Sequence, residues 1–213
     1  MSSFAGAMSS FTDPTAFGYG DFNFSWGDHI CGIFDNHVQQ MEVMTPFIAQ
    51  GLRLAQRCVW VGPEVSCDAL RTSLAAMGGD LPTLEASGQL VVMPVTDYYL
   101  RDGVFEPRHT MELLLTLLED SQRQGYGTMR ATGDVTWLVG QRVDAEEWEQ
   151  WEAMLNEALV GQPMVVVCQY DRRQVSGAMV VAALRTHPFV ILGDDIHANP
   201  FYAPEEGTAV EVT

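Results

Sequence analysis

Two rhythms of apolar residues run through this chain. Short, nearly continuous apolar runs alternate with longer stripes that recur every three or four residues. His29–Phe34, Cys58–Gly62, Gln89–Met93, Thr128–Thr132, Met164–Tyr170 and Phe189–Leu192 are the short runs, and their length and β-branched content predict strands. Met164–Tyr170, apolar without interruption, reads as a parallel strand buried on both faces. The longer stripes predict helices. After a polar loop at Asp35–Gln40, Met41, Met44, Ile48, Leu52 and Ala55 share one face, with Pro46 either kinking that helix or opening it after a Thr45 cap. Ser66 should cap a helix through Leu70, Leu74 and Met77 that the Gly78–Gly79 pair stops. Pro107 is placed to open a helix through Met111, Leu114 and Leu118. Asp144 and Glu147 form an acidic capping box before Trp148, Trp151, Leu155 and Leu159. Asp171 with Gln174 is expected to start a last helix carrying Val175, Met179 and Ala183, and Asn199–Tyr202 to lie in a polar tail.

Strand alternating with helix in this order predicts an α/β fold, a three-layer sandwich around a mostly parallel central sheet. The expected organisation is a flexible, aromatic-containing leader over residues 1–27, one domain over 28–202 and an acidic tail over 203–213. Phe17, Tyr19, Phe22, Phe24 and Trp26 are more aromatic side chains than a solvated segment usually carries, so part of the leader should dock on its own domain or on a partner.

Charge narrows the set of partners. Asp and Glu number 28 against 11 basic residues, all of them Arg, for a net charge of −17. A surface this negative repels nucleic acid and anionic lipid, so neither is expected as a direct partner. Neither a signal-peptide pattern nor an apolar run of membrane-spanning length is present, and four scattered cysteines at 31, 58, 67 and 168 fit a reduced, cytoplasmic protein.

In a parallel sheet, ligands sit at the carboxyl ends of the strands. The residues that fall there by prediction are Phe34 and Asp35, Glu64, Thr96–Tyr99 with Tyr98 foremost, Asp134 with Trp137 beyond it, and Gln169, Tyr170 and Asp171, with Arg130 close by. Aromatic walls with a few convergent polar groups suit a small organic molecule. Arg130 is expected to reach this rim and pair with Asp134 or with a ligand oxygen. The strand–loop–helix unit at 29–55 also has the form of a phosphate-binding unit. Its loop, however, has no glycine, and the chain has no lysine to meet a phosphate. His29 and Cys31, two apart on one strand face, and Cys168 on another strand are the donors that could form a soft metal site, although no CxxC or HxxxH spacing assigns one. No motif names a cofactor.

Several phrases together, His29-Ile-Cys-x-x-Phe34, Gly51-Leu-Arg-x-x-x-Arg-Cys58, Arg130-x-Thr-Gly-Asp134-x-x-Trp137, Cys168-Gln-Tyr-Asp171, and His187-Pro188 followed by Asn199-Pro-Phe-Tyr202, resemble the MEDS family over about residues 28–202. This is the methanogen/methylotroph sensory domain, named partly for a dichloromethane-responsive regulator. The resemblance implies a relative of the RecA/KaiC fold that has lost its phosphate-binding loop and senses small hydrocarbon-like molecules, alone or attached to regulatory or kinase modules. KaiC-type relatives assemble side by side, so a homo-oligomer is implied too. The aromatic–Glu pair usual after the first strand is Phe34-Asp35 here, and Glu64 falls where an ATPase relative would hold its water-activating carboxylate. The function expected is that of a sensory domain binding a small organic ligand and signalling to a partner protein. Two other classes compete with it. One is an enzyme hydrolysing nucleotide through Glu64 and Asp134 with Mg²⁺. The other is a redox or metal sensor built on His29, Cys31 and Cys168.

Overall fold

β1 (His29–Phe34) is buried along its whole length because it lies between two other parallel strands with helices on both faces. The computed structural model describes residues 13–203 apart from positions 142 and 194. Among the described residues, β1, β2 (Arg57–Gly62), β3 (Leu90–Pro94), β4 (Met129–Asp134), β5 (Met164–Asp171), β6 (Phe189–Leu192) and β7 (Asp195–Ala198) form one sheet in the order β3-β2-β4-β5-β1-β6-β7. All pairings are parallel except that of β7, which folds back antiparallel on β6. The architecture is the three-layer α/β sandwich that the alternation of patterns predicts.

One face carries α1 (His37–Arg53), α2 (Glu64–Ala76) and the short α3 (Leu81–Ala86), with Val43, Met44, Phe47, Ile48, Leu70 and Leu74 as their core contribution. The other carries α4 (Pro107–Arg123), α5 (Ala145–Leu159) and α6 (Gly177–Thr186), through Met111, Leu114, Leu118, Trp148, Trp151, Leu155 and Met179. Successive strand residues point to opposite faces. Phe34, Arg130 and Gln169 therefore belong to the α1 side, and His29, Cys31, Cys168 and Tyr170 to the α5 side.

Several boundaries differ from the sequence expectation. Asn36 caps α1, its side chain accepting from the Gln39 amide at 3.1 Å, so the expected loop over Asp35–Gln40 shrinks to two residues. Pro46 lies inside α1 and does not start it. α2 begins at Glu64 directly after Pro63, and α6 begins at Gly177 with Ser176 as its cap; Asp171 instead orders the turn before it. α3 and β7 were absent from the apolar pattern, since α3 is a single short helix and β7 is polar and mostly exposed.

The leader is partly described, and that part packs on its own domain. Phe17 and Phe24 are buried against Phe47, and Gly18 (φ +101°) passes so close to α1 that a Cβ there would meet the Pro46 carbonyl. Residues 1–12 and 204–213, including Phe4, Phe11 and most of the acidic tail, lie outside the described residues.

Candidate functional site

The sheet register brings Phe34 opposite Asp171 and Asp134 opposite Gln169, so these four end their strands at one rim. Side-chain direction then separates them. On the α1 side, Gln40 from the first turn of α1 donates through Nε2 to Asp134 at 3.1 Å and to Gln169 Oε1 at 2.8 Å. Gln169 Nε2 donates on to Thr132 Oγ1 at 2.7 Å, and Thr132 to the Val167 carbonyl at 2.7 Å. All four side chains are buried. Asp134 also accepts from the Thr136 amide and hydroxyl, which sets the turn carrying Trp137. The polar groups in this knot bond one another.

The outer carboxylates of the rim are engaged differently. Asp35 is exposed and pairs with Arg172 at 2.5 Å, which holds its carboxyl below the ordinary range. Asp171, almost fully buried, accepts from the Arg173 amide and from the Arg173 and Gln174 side chains. Glu64 is exposed in the first turn of α2, a place where a carboxylate complements the helix dipole.

Arg130 departs most from expectation. It is the second residue of β4, not near its end, and it points away from the rim into the α1 side. Its Nε donates to Gln56 Oε1 at 2.6 Å, Nη1 to the carbonyls of Phe17 at 2.9 Å and Phe47 at 3.1 Å, and Nη2 to that of Ala16 at 2.8 Å. The rings of Phe24 and Phe47 flank its guanidinium at 5.0 Å each. Burial pushes its pKa down to about 10. Gly51 makes the room, since a Cβ there would run into the Arg130 side chain and Cys58. Arg130 thus holds the leader to the domain. Phe34 is buried in the same layer, so both residues lie on the opposite face of the sheet from Tyr98 and Trp137.

On the α5 side the aromatics gather. Trp137 stacks on Tyr99 (4.9 Å, 25°) and Trp148 on Trp151 (4.8 Å, 25°), with Phe105 between the pairs at 5.5 to 6.1 Å from each tryptophan. Tyr98 meets Tyr99 edge-on. A void of about 20 Å³ adjoins them, walled by Val59, Val61, Leu114, Ala131 and Val166, and a surface cleft of about 90 Å³ opens on the outer side of Tyr98 and Tyr99. Gly133 lets the Tyr99 hydroxyl approach the sheet, where any Cβ would collide with it. The indole N–H groups of Trp137 and Trp151 are buried without a partner. Trp137 is only 6 % exposed, so it is a wall of this chamber and not a half-exposed cover.

Behind the chamber lies a polar cluster that sequence reasoning only half found. Trp148 Nε1 donates to the Tyr170 hydroxyl at 2.9 Å, and Tyr170 donates to Glu152 Oε1 at 2.6 Å. Glu152 Oε2 stands 3.2 Å from His29 Nε2, 3.6 Å from Cys168 Sγ and 3.8 Å from His187 Nε2. Burial pushes the Glu152 carboxyl up, but His187, His29 and the Tyr170 hydroxyl together outweigh it and hold the group below its usual range. Burial, helped by His29, pushes His187 down to about 3, and burial raises the Cys168 thiol. Cys31 is not part of the cluster; its Sγ faces the Phe189 carbonyl at 3.7 Å. Glu152 and His187 were not among the candidate donors. The signal for Glu152 was present, because a glutamate four residues after Trp148 and three before Leu155 sits on the buried stripe of its helix. His187, next to Pro188, gave no such signal.

A sheet with helices on both faces, a two-residue connection after β1 and a polar knot at the rim define a RecA-type α/β domain without a phosphate-binding loop. A family model described as MEDS, methanogen/methylotroph, DcmR sensory domain, matches residues 28–188, and the chain belongs to that family. It is 23 % identical over 167 residues to the transcriptional repressor DcmR of Methylorubrum extorquens, covering 76 % of this chain and 59 % of the repressor's length. Among solved structures, a KaiC-like protein of the hyperthermophilic archaeon Pyrococcus horikoshii OT3 shares the fold with a TM-score of 0.56 at 12 % identity, over 82 % of this chain and 77 % of that one.

Proposed function

We propose that this sensory domain binds a small organic, hydrocarbon-like molecule in the aromatic chamber and passes a change in packing to a regulatory or kinase partner in the cytoplasm. The observation that supports the reading best is the Tyr99–Trp137 stack beside an apolar void whose wall includes Trp151, with its unpaired buried indole N–H. An apolar enclosure excludes water, and an unpaired donor inside it favours a guest that brings an acceptor atom. Of the residues expected at the ligand, Tyr98 borders the void and the cleft, Trp137 stacks on Tyr99, and Tyr170 stands behind Trp148. Phe34, Asp35, Arg130, Asp134, Gln169 and Asp171 are committed elsewhere by the contacts described above, and Glu64 is exposed at the start of α2. The surface cleft outside Tyr98 and Tyr99 supplies the route in. Side-by-side association of copies belongs to the same reading, and light scattering should then give a mass above the 23.5 kDa of one chain.

The test uses tryptophan emission of the full chain titrated with dichloromethane, methanol and ethanol. At least one should produce a saturable change that Trp151→Phe, which keeps an aromatic wall but removes the N–H, weakens about tenfold, the loss of one hydrogen bond in a closed pocket. Only linear, unsaturable quenching by all three, the same in the variant, would remove the chamber as the site.

A further inference from the structure

We propose that His29, Glu152, Cys168 and His187 form a closed four-coordinate site for a divalent transition ion of zinc-like softness. The four donors come from β1, α5, β5 and the end of α6, and every one of them is at most 1 % exposed. Their donor atoms all lie within 4.8 Å of one another. A tetrahedral ion with arms of about 2.0–2.3 Å separates its ligand atoms by about 3.3–3.8 Å. Four of the six separations are 3.2 Å for His29 Nε2 to Glu152 Oε2, 3.4 Å for His29 Nε2 to Cys168 Sγ, 3.6 Å for Cys168 Sγ to Glu152 Oε2 and 3.8 Å for His187 Nε2 to Glu152 Oε2, and the two from His187 to His29 and to Cys168 lie within 4.8 Å.

The surrounding bonds aim these atoms inward. His187 Nδ1 donates to the Ala183 carbonyl at 2.8 Å, so Nε2 carries a lone pair, and that atom is buried with no hydrogen-bond partner. Asn156 donates through Nδ2 to the Thr186 carbonyl at 2.6 Å, which turns Oδ1 to accept from His29 Nδ1 at 3.0 Å. His29 Nε2 then also presents a lone pair. Glu152 has given Oε1 to Tyr170 and keeps Oε2 for the cluster. A histidine whose second nitrogen donates to a carbonyl or amide oxygen is the usual arrangement of a metal ligand. The set of two imidazoles, one thiolate and one carboxylate favours a borderline-soft ion over Mg²⁺ or Ca²⁺, which prefer all-oxygen shells. Binding would release the Cys168 thiol proton to solvent.

The nearest surface cleft lies outside Asn156. A cleft of about 270 Å³ between α5 and α6 is lined by Glu146, Glu149, Glu157 and Tyr202 and has Asn156, the partner of His29, in its wall. Arg185, also in its lining, pairs with Glu149 at 3.8 Å, and Glu146 and Glu157 leave the cleft net negative, which attracts cations. This inference does not depend on the organic-ligand reading, and either can fail alone.

The experiment is expression of the full chain in Co²⁺-supplemented medium, followed by elemental analysis and absorption spectroscopy. One cobalt per chain is expected, with a thiolate-to-cobalt charge-transfer band and the strong visible bands of a tetrahedral ion. Cys168→Ser should abolish the charge-transfer band, whereas Cys31→Ser should keep it. Asn156→Ala removes only the bond that orients His29, so it should keep the band yet lose the ion at a chelator concentration about 10–100-fold lower. A wild-type chain without stoichiometric cobalt or without the band would overturn the site, leaving a His–Glu pair that shares a proton. So would a band that survives in Cys168→Ser. If that variant does not fold, the wild-type spectrum and the chelator response of Asn156→Ala decide.

Discussion

Gln40 Nε2 donates to the Asp134 carboxylate at 3.1 Å, across the place where a nucleotide-binding relative would hold phosphate and metal. The connection before it, Asp35-Asn36, is two residues long, and Asn36 is already used as a helix cap. A phosphate-binding loop needs several successive backbone amides and a lysine. Calorimetry with ATP and Mg²⁺ should therefore show no binding, and Gln40→Lys should not create it, because a charge without a loop cannot cradle the phosphates. Micromolar affinity, abolished by changing Asp35 or Glu64, would contradict this.

Arg130 ties residues 14–17 to α1 and to the start of β2. Arg130→Met leaves the carbonyls of Ala16, Phe17 and Phe47 and the Gln56 amide without their donor. Hydrogen bonds from a charged group contribute about 1.5–3 kcal/mol each and are not additive, so a loss of at least about 3 kcal/mol is expected. Limited proteolysis should also begin to cut within residues 13–27. A variant that melts like the wild type and resists the protease would show that the leader is held by Phe17 and Phe24 alone.

For Trp137, near-complete burial sets the scale. Trp137→Ala should cost about 3–5 kcal/mol, because the Tyr99 stack and the Phe105 contact are both lost. Trp137→Phe, which preserves ring packing, should cost clearly less. Equal melting points for the two would mean that the chamber repacks freely.

Acid unfolding should carry a contribution from Asp171. Burial pushes its carboxyl up, but the bonds from Arg173 and Gln174 outweigh burial and hold it below the ordinary 3.8. A lowered folded value means that the unfolded chain takes up the proton first. The stabilisation is thus full above the ordinary value and disappears as pH falls through the folded one. Asp171→Asn should flatten the stability profile below about pH 4 and leave its shape near neutrality unchanged. An unchanged acid limb would assign that slope to other carboxylates.

The sequence by itself determined the layers. Continuous apolar runs had to be strands buried on both faces, and stripes such as Trp148–Leu159 had to lie against them, because each pattern has one period that buries it. The absence of glycine and lysine after β1 was also legible, since that depends on residue type alone. Which side chains meet was decided by the tertiary structure. Arg130 was expected to reach the rim and pair with Asp134 or with a ligand oxygen, but it stands at the beginning of β4, four strand residues or about 13 Å from Asp134, and its partners are Gln56 and carbonyls of the leader and α1. Trp137 and Tyr99 stack only because the connections after β3 and β4 fold over the same face. His29 and Cys168 were visible as donors, while Glu152 in α5 and His187 capping α6 are 35 residues apart by numbering, and the two helices bring them to within 3.8 Å by packing side by side on the sheet. Period and composition report how a segment is buried; contact between segments depends on register and crossing, which no local pattern encodes.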